Sequence, residues 1–157
     1  MSSIAIYGPT GIGKTYTSVL FAYEHFHSVF ICRHLEDLKE YRQQSVIIFD
    51  DIDFSLISPT QLIKLCDTDL HASIRILKKV IRIEPSVYKI FTHNNKKAFE
   101  PILASLEQQK AIQRRLKICR VTSRKQVSQV HLDQFKKFTL TQQSVRQSRL
   151  LDQVQGL

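Results

Sequence analysis

An α/β fold with a mainly parallel sheet flanked by helices, and with a β-hairpin inserted into it, is what this 157-residue sequence predicts. Three observations carry the prediction. Short β-branched and aromatic runs at residues 3–7, 29–32, 45–49 and 88–92 are nearly continuous in apolar side chains, as in strands buried on both faces. Stretches with helical periodicity separate these runs. Three of the four strongest runs end in glycine, acidic or amide residues instead of ordinary turn residues, and ligands of parallel sheets sit at such carboxyl ends.

In chain order, residues 3–7 form a strand that ends at a glycine-rich loop. Residues 15–26 then have helical spacing, with Val19, Leu20 and Tyr23 on one face. Residues 29–32 read as a short strand, 35–41 as a charged helix or turn, and 45–49 as a buried parallel strand followed at once by acids. Pro59 and Thr60 open a helix through Cys66. Residues 73–77 and 80–83 alternate around Lys78 and Lys79 as a hairpin, although Lys-Lys is not a favoured turn pair. After Pro85 comes a buried strand at 88–92 that leads into His93, Asn94 and Asn95, then a largely helical stretch at 98–116 and a last strand at 118–122. From Ser123 the chain is rich in Gln, Ser and Lys with sparse apolar residues. The chain is thus read as one globular unit, residues 1–122, and a basic tail, residues 123–157, for which helix and partial disorder are both open.

Composition narrows the functional classes. Apolar content of 43% and charged content of 24% are those of a globular domain, and no apolar run reaches the ~20 residues needed to cross a bilayer. A soluble, intracellular protein is expected. Cys32, Cys66 and Cys119 are odd in number and contain no CxxC pair, which argues against a disulfide framework or a structural zinc site. His25, His27, Cys32 and His34 are near one another but fit no standard ligand spacing. The net charge of +9 is all carboxy-terminal: residues 1–109 carry twelve Lys/Arg against twelve Asp/Glu, and residues 110–157 carry eleven against two. Such a segment suits a phosphate backbone, and equally a solvated tail.

The chemistry-bearing residues begin with Gly8, Pro9, Thr10, Gly11, Ile12, Gly13, Lys14 and Thr15, which match G-x4-G-K-[ST] between a strand and a helix; Tyr16 follows. Glycines let backbone N–H groups turn toward phosphate oxygens, Lys14 would neutralise the β- and γ-phosphates, and the Thr15 hydroxyl would ligate Mg²⁺. A nucleoside triphosphate with Mg²⁺ is therefore the expected ligand. Asp50 and Asp51 end the third strand, where the first carboxylate can reach Mg²⁺ and the second can orient or deprotonate the attacking water. Asp53 is a lesser candidate. Asn94 could hydrogen-bond the γ-phosphate and the water, or be an ordinary turn asparagine. Arg114 and Arg115 lie on the helix that follows, where an arginine pointing into a neighbouring subunit would stabilise charge at the γ-phosphate, or where both could form a solvated face.

The order of these parts over residues 3–122 resembles the superfamily 3 helicases, most closely the ATPase domain of the replication initiator (Rep) proteins of circular single-stranded DNA viruses and related plasmids. Residues 8–15 correspond to motif A, 46–51 to motif B, 71–83 to the intervening B′ element, 90–94 to motif C and 112–116 to the arginine-finger helix, with Arg115 the better finger candidate. The resemblance implies an AAA+ P-loop NTPase fold, ATP and Mg²⁺ as cofactors, assembly into a ring that is usually hexameric, and translocation on single-stranded DNA gripped by Lys78 and Lys79. It also implies the host nucleus or the cytoplasm as the place of action, depending on the host. The nicking motifs of Rep proteins do not occur upstream of Ser3, so no nicking by this chain is expected, and its self-assembly is expected to be weak. The alternatives are an RNA helicase or helicase-loader-like ATPase, a small P-loop kinase, and a nucleotide-binding interaction module.

Overall fold

The computed structural model describes residues 2–156. The elements are β1 (Ser3–Tyr7), α1 (Lys14–His25), β2 (Val29–Cys32), a 3-10 segment (Leu35–Glu40), β3 (Val46–Asp50), α2 (Pro59–Cys66), β4 (Ala72–Ile76) and β5 (Lys79–Ile83). They continue with β6 (Tyr88–His93), a 3-10 turn (Lys96–Phe99), α3 (Leu106–Arg115), β7 (Leu116–Arg120) and α4 (Arg124–Gln155). Five strands form one sheet in the order β2, β3, β6, β1, β7, with every pairing parallel, and β4 with β5 forms a separate antiparallel hairpin. The fold is α/β, with a mainly parallel sheet flanked by helices. Among the described residues no helix is long and apolar enough to cross a membrane.

Period-two alternation sends the strand residues into two cores. Ala5, Ile47, Phe49, Phe91 and Leu116 face α2, α3 and the hairpin, whereas Ile4, Ile6, Val46, Ile48 and Ile90 face α1 and α4. The chain after β1 leaves on the second face and the chain after β3 on the first. This divergence opens a crevice at the carboxyl ends of the strands, which β6 bridges.

Several boundaries differ from the expectation for physical reasons. The buried face of α1 is Ser18, Phe21 and Ala22, while Leu20 and Tyr23 are 45% and 64% exposed, because the covering element is α4. The stretch expected to be helical at 98–116 is interrupted. Pro101 disfavours helix at the residue before it, and α3 begins only where Ser105 and Gln108 form a reciprocal capping box. The last strand starts at Leu116, two residues early, so Arg115 is the final helical residue. The hairpin turn is Leu77 and Lys78, with Ile76 paired to Lys79. Leu77 has φ +55°, which fits a two-residue turn at a position better suited to glycine.

The segment for which helix and disorder were both open is a 32-residue helix. Its first half docks through Val127, His131, Gln134 and Phe138, spaced by four, three and four residues on one stripe. His131 is fully buried, its ring stacked on Phe21 at 4.8 Å and its Nε2 2.7 Å from Ser18 Oγ, while Nδ1 has no partner. The least costly arrangement puts the proton on Nε2, since a bare lone pair costs less than a buried unpaired N–H.

Burial holds the His131 pKa down to about 4, below the unfolded value of 6.5. As pH falls through that window the unfolded chain takes up the proton first, so stability present above pH 6.5 is lost toward pH 4. The expected loss is about 3 kcal/mol in urea melts between pH 7 and pH 4. His131→Phe should flatten this acid limb; an unchanged limb would contradict the buried neutral ring.

Candidate nucleotide site

The loop between β1 and α1 is shaped by two glycines in the left-handed region, Gly11 at φ +85° and Gly13 at φ +82°. Only glycine adopts this without strain. Gly13 is the N-cap of α1, with no side-chain cap and no acid in the first turn, so the helix end keeps its positive pole for an anion. Gly8 is held for a different reason: a Cβ there would collide with the Val121 carbonyl oxygen, because the chain after β7 runs directly beneath the loop.

Lys14 is 7% exposed, and its Nζ donates to the carbonyls of Gly8 (2.9 Å) and Pro9 (2.6 Å). Burial lowers its pKa, and the nearby Asp51 carboxylate opposes that shift. The ammonium is thus tethered at the loop, with its third proton uncommitted in these contacts. Thr15 Oγ1 donates to Asp50 Oδ1 at 2.7 Å, and Thr92 Oγ1 donates to the same oxygen at 3.1 Å. Arg33 Nε lies 3.7 Å from the other carboxylate oxygen. Asp50 therefore gathers a hydroxyl from α1, a hydroxyl from β6 and a cation from the end of β2.

Asp51 stands one residue past β3 at φ +57° with its side chain largely exposed, and its N–H donates to Thr92 O at 2.9 Å. Aspartate tolerates this conformation better than most residues, and strain of this kind collects at functional sites. His93 Nε2 lies 3.6 Å from Asp51 Oδ1, while His93 Nδ1 accepts the Asn95 backbone N–H at 3.0 Å. That bond leaves Nδ1 bare in the neutral ring and places the proton on Nε2, facing Asp51.

Register explains the convergence. Tyr7 pairs with His93 across β1 and β6, and Asp50 pairs with Thr92 across β3 and β6, so three adjacent strands end level with one another. A cleft of about 360 Å³ opens there, lined by Thr10, Gly11, Gly13, Lys14, Thr15 and Tyr16 on one side and by Asp50, Asp51, Thr92, His93 and Asn94 on the other. Gly8, Pro9 and Ile12 build the loop from behind. A hydroxyl and a carboxylate oxygen 2.7 Å apart beside a helix N-terminus form a donor set suited to Mg²⁺ together with phosphate oxygens.

A larger cleft of about 680 Å³ lies along β7, but its Lys96 and Glu100 pair with each other at 3.9 Å and it has no comparable convergence of polar groups. Among the described residues no group of three or more His, Cys, Asp or Glu could hold a metal. No protein-family model matches the chain, and no curated protein matches it.

Other expected site residues are placed elsewhere. Leu116 pairs with Ser3 at the start of β1, so Arg114 and Arg115 lie at the opposite end of the sheet from the loop, about 13 Å away along β1 alone. They cannot serve this cleft from within the chain. Arg115 is engaged at that end, with Nε 3.6 Å from Asp67 Oδ2 and Nη1 donating to Ala111 O at 3.1 Å. The same cluster holds Lys89, fully buried on β6, which donates to Asp67 O and whose pKa burial pushes down to about 8. Arg114 is exposed.

Of the two hairpin lysines, Lys78 occupies the turn, whereas Lys79 opens β5 and folds back to donate to Lys39 O at 2.8 Å. The turn expected at Lys78 and Lys79 is thus one residue earlier, at Leu77 and Lys78. Residues that sequence reading did not single out are Thr92, His93 and Arg33. The first two sit inside the run that ends at Asn94, and Arg33 follows β2 as Asp51 follows β3, so each stood at a strand's carboxyl end.

Proposed function

We propose that this chain is an ATP-hydrolysing motor domain of the superfamily 3 helicase type, with an AAA+ fold, acting on single-stranded DNA as Rep-like replication proteins do. The observation that carries the reading is the wedge of β6 between β1 and β3, which brings Thr92, His93 and Asn94 level with the phosphate loop and the acid pair. The exposure of Arg114 at the far end fits its serving the cleft of another copy.

In this reading Lys14 and the loop N–H groups hold the phosphates, and Thr15 with Asp50 would hold Mg²⁺. The metal, when bound, supplies positive charge against the β- and γ-oxygens. Asp51 orients a water and takes its proton as the water oxygen bonds to the γ-phosphorus and the bond to the ADP oxygen breaks. The Asn94 amide donates toward the γ-phosphate. An arginine from the neighbouring copy completes the charge balance. Arg114 is free for this as the chain stands, and Arg115 first has to leave Asp67. Lys78 at the hairpin turn contacts the DNA backbone.

Phosphate release from Mg²⁺-ATP, stimulated by single-stranded DNA and reduced in its stimulation by Lys78→Ala, is the expected result. Free phosphate, with no phosphorylated acceptor, separates the motor from a kinase, and matched RNA strands separate DNA from RNA. Mixing Lys14→Ala with whichever of Arg114→Ala and Arg115→Ala is inactive alone should recover about a quarter of the sites in a head-to-tail ring. No recovery with either arginine variant would sink the shared-site reading.

A further inference from the structure

Tyr16, on the first turn of α1, is 60% exposed and lines the cleft directly beyond Thr15. Arg124, the first residue of α4, lies over it, its guanidinium carbon 5.6 Å from the ring centroid. The same side chain packs on the phosphate loop: a Cβ on Gly13 would meet Arg124 Nε at 2.7 Å, Cγ at 3.2 Å and Cδ at 3.4 Å. Gly13 is fixed by its positive φ, and the Arg124 side chain lies against it. An aromatic ring that lines the cleft and a guanidinium set over that ring are brought together from segments far apart in sequence.

Thr15 meets Asp50 across the cleft, and Tyr16 is the next lining residue along α1, away from Gly13. In the nucleotide reading, a triphosphate with its terminal phosphorus at Asp51 and Asn94 runs its remaining chain past Thr15 toward Tyr16. What emerges there is the nucleoside. We propose that Tyr16 and Arg124 form the platform that holds the nucleobase, with a preference for the larger purine faces.

Stacking on a phenol ring and on a guanidinium plane rewards area and tolerates base identity, so purines are favoured over pyrimidines without strict choice between adenine and guanine. This assignment rests on the nucleotide reading of the cleft. It names a contact outside the phosphate loop, contributed by a helix that begins more than a hundred residues later.

The test is calorimetric titration of the full chain with Mg²⁺-ATP, Mg²⁺-CTP and inorganic tripolyphosphate, which has phosphates but no base. Tyr16→Ala and Arg124→Lys are each expected to weaken ATP about tenfold, to narrow the preference of ATP over CTP, and to leave tripolyphosphate unchanged. Arg124→Lys keeps the charge and removes the plane, so it separates stacking from attraction. Both side chains are exposed, and thermal melts check that the variants fold. An equal loss for tripolyphosphate would reassign Arg124 to the phosphates and overturn the platform, as would unchanged ATP binding in both variants. A wild-type chain that binds neither ATP nor tripolyphosphate would overturn the phosphate reading of the cleft, and this one with it.

Discussion

Lys14→Ala is expected to lower phosphate release from ATP by at least about 10³-fold and to weaken ATP binding as well. The ammonium is nearly enclosed, and two of its protons are spent on the carbonyls of Gly8 and Pro9. Burial already disfavours its charge, so an incoming phosphate relieves a cost that the free loop carries. Removing the side chain leaves those two carbonyl oxygens without their donor, at a place where phosphate oxygens have to approach. Binding and turnover therefore fall together. Lys14→Arg should not rescue, because a planar fork cannot sit where a compact ammonium reaches both carbonyls. ATP titration and single-turnover phosphate release check this, with melting curves as a control for folding. Retention of more than about a tenth of the rate would contradict the assignment.

Asp51→Asn should behave differently, keeping ATP affinity while turnover drops by about 10²- to 10⁴-fold. Asp51 acts on Lys14 through its charge; its backbone is pinned by the bond to Thr92 O, and its carboxylate faces the proton on His93 Nε2. Asparagine is the informative replacement because it tolerates φ +57°, whereas alanine would add backbone strain to the loss of the carboxylate. Asp50→Asn offers the contrast, since it disturbs the oxygen that Thr15 and Thr92 share and should raise the Mg²⁺ requirement. If Asp51→Asn lost ATP binding to the same extent as turnover, its role as the water-orienting base would be wrong.

What was legible in the sequence was what is local. The phosphate loop, the acids after β3 and the start of α2 at Pro59 each depend on a few consecutive residues. The inner face of α1 was not, because its partner is α4, and the pairing of Ser18 with His131 puts polar side chains where periodicity looks for apolar ones. Leu20 and Tyr23, apolar and correctly spaced, are left on the outside. Position relative to the sheet was the other hidden quantity. Arg114 and Arg115 read as residues of the site, yet the parallel register of β7 with β1 sets them at its far end. Arg124 carried no signal at all, since its neighbours at Gly13 and Tyr16 are brought to it only by the docking of α4. By contrast, the break before α3 had readable causes: Ser105 and Gln108 have the spacing of a capping box, and Pro101 precedes them.

Docking of α4 also has a mechanical side. The helix is seated on Ser18 and Phe21 through His131 and abuts the phosphate loop at its first residue, while the stretch after Phe138 projects clear of the core for about 25 Å. Its docked half touches the cleft and its free half does not. A tilt of about 10° where the helix leaves the core at Phe138 would move Val154 by roughly 4 Å.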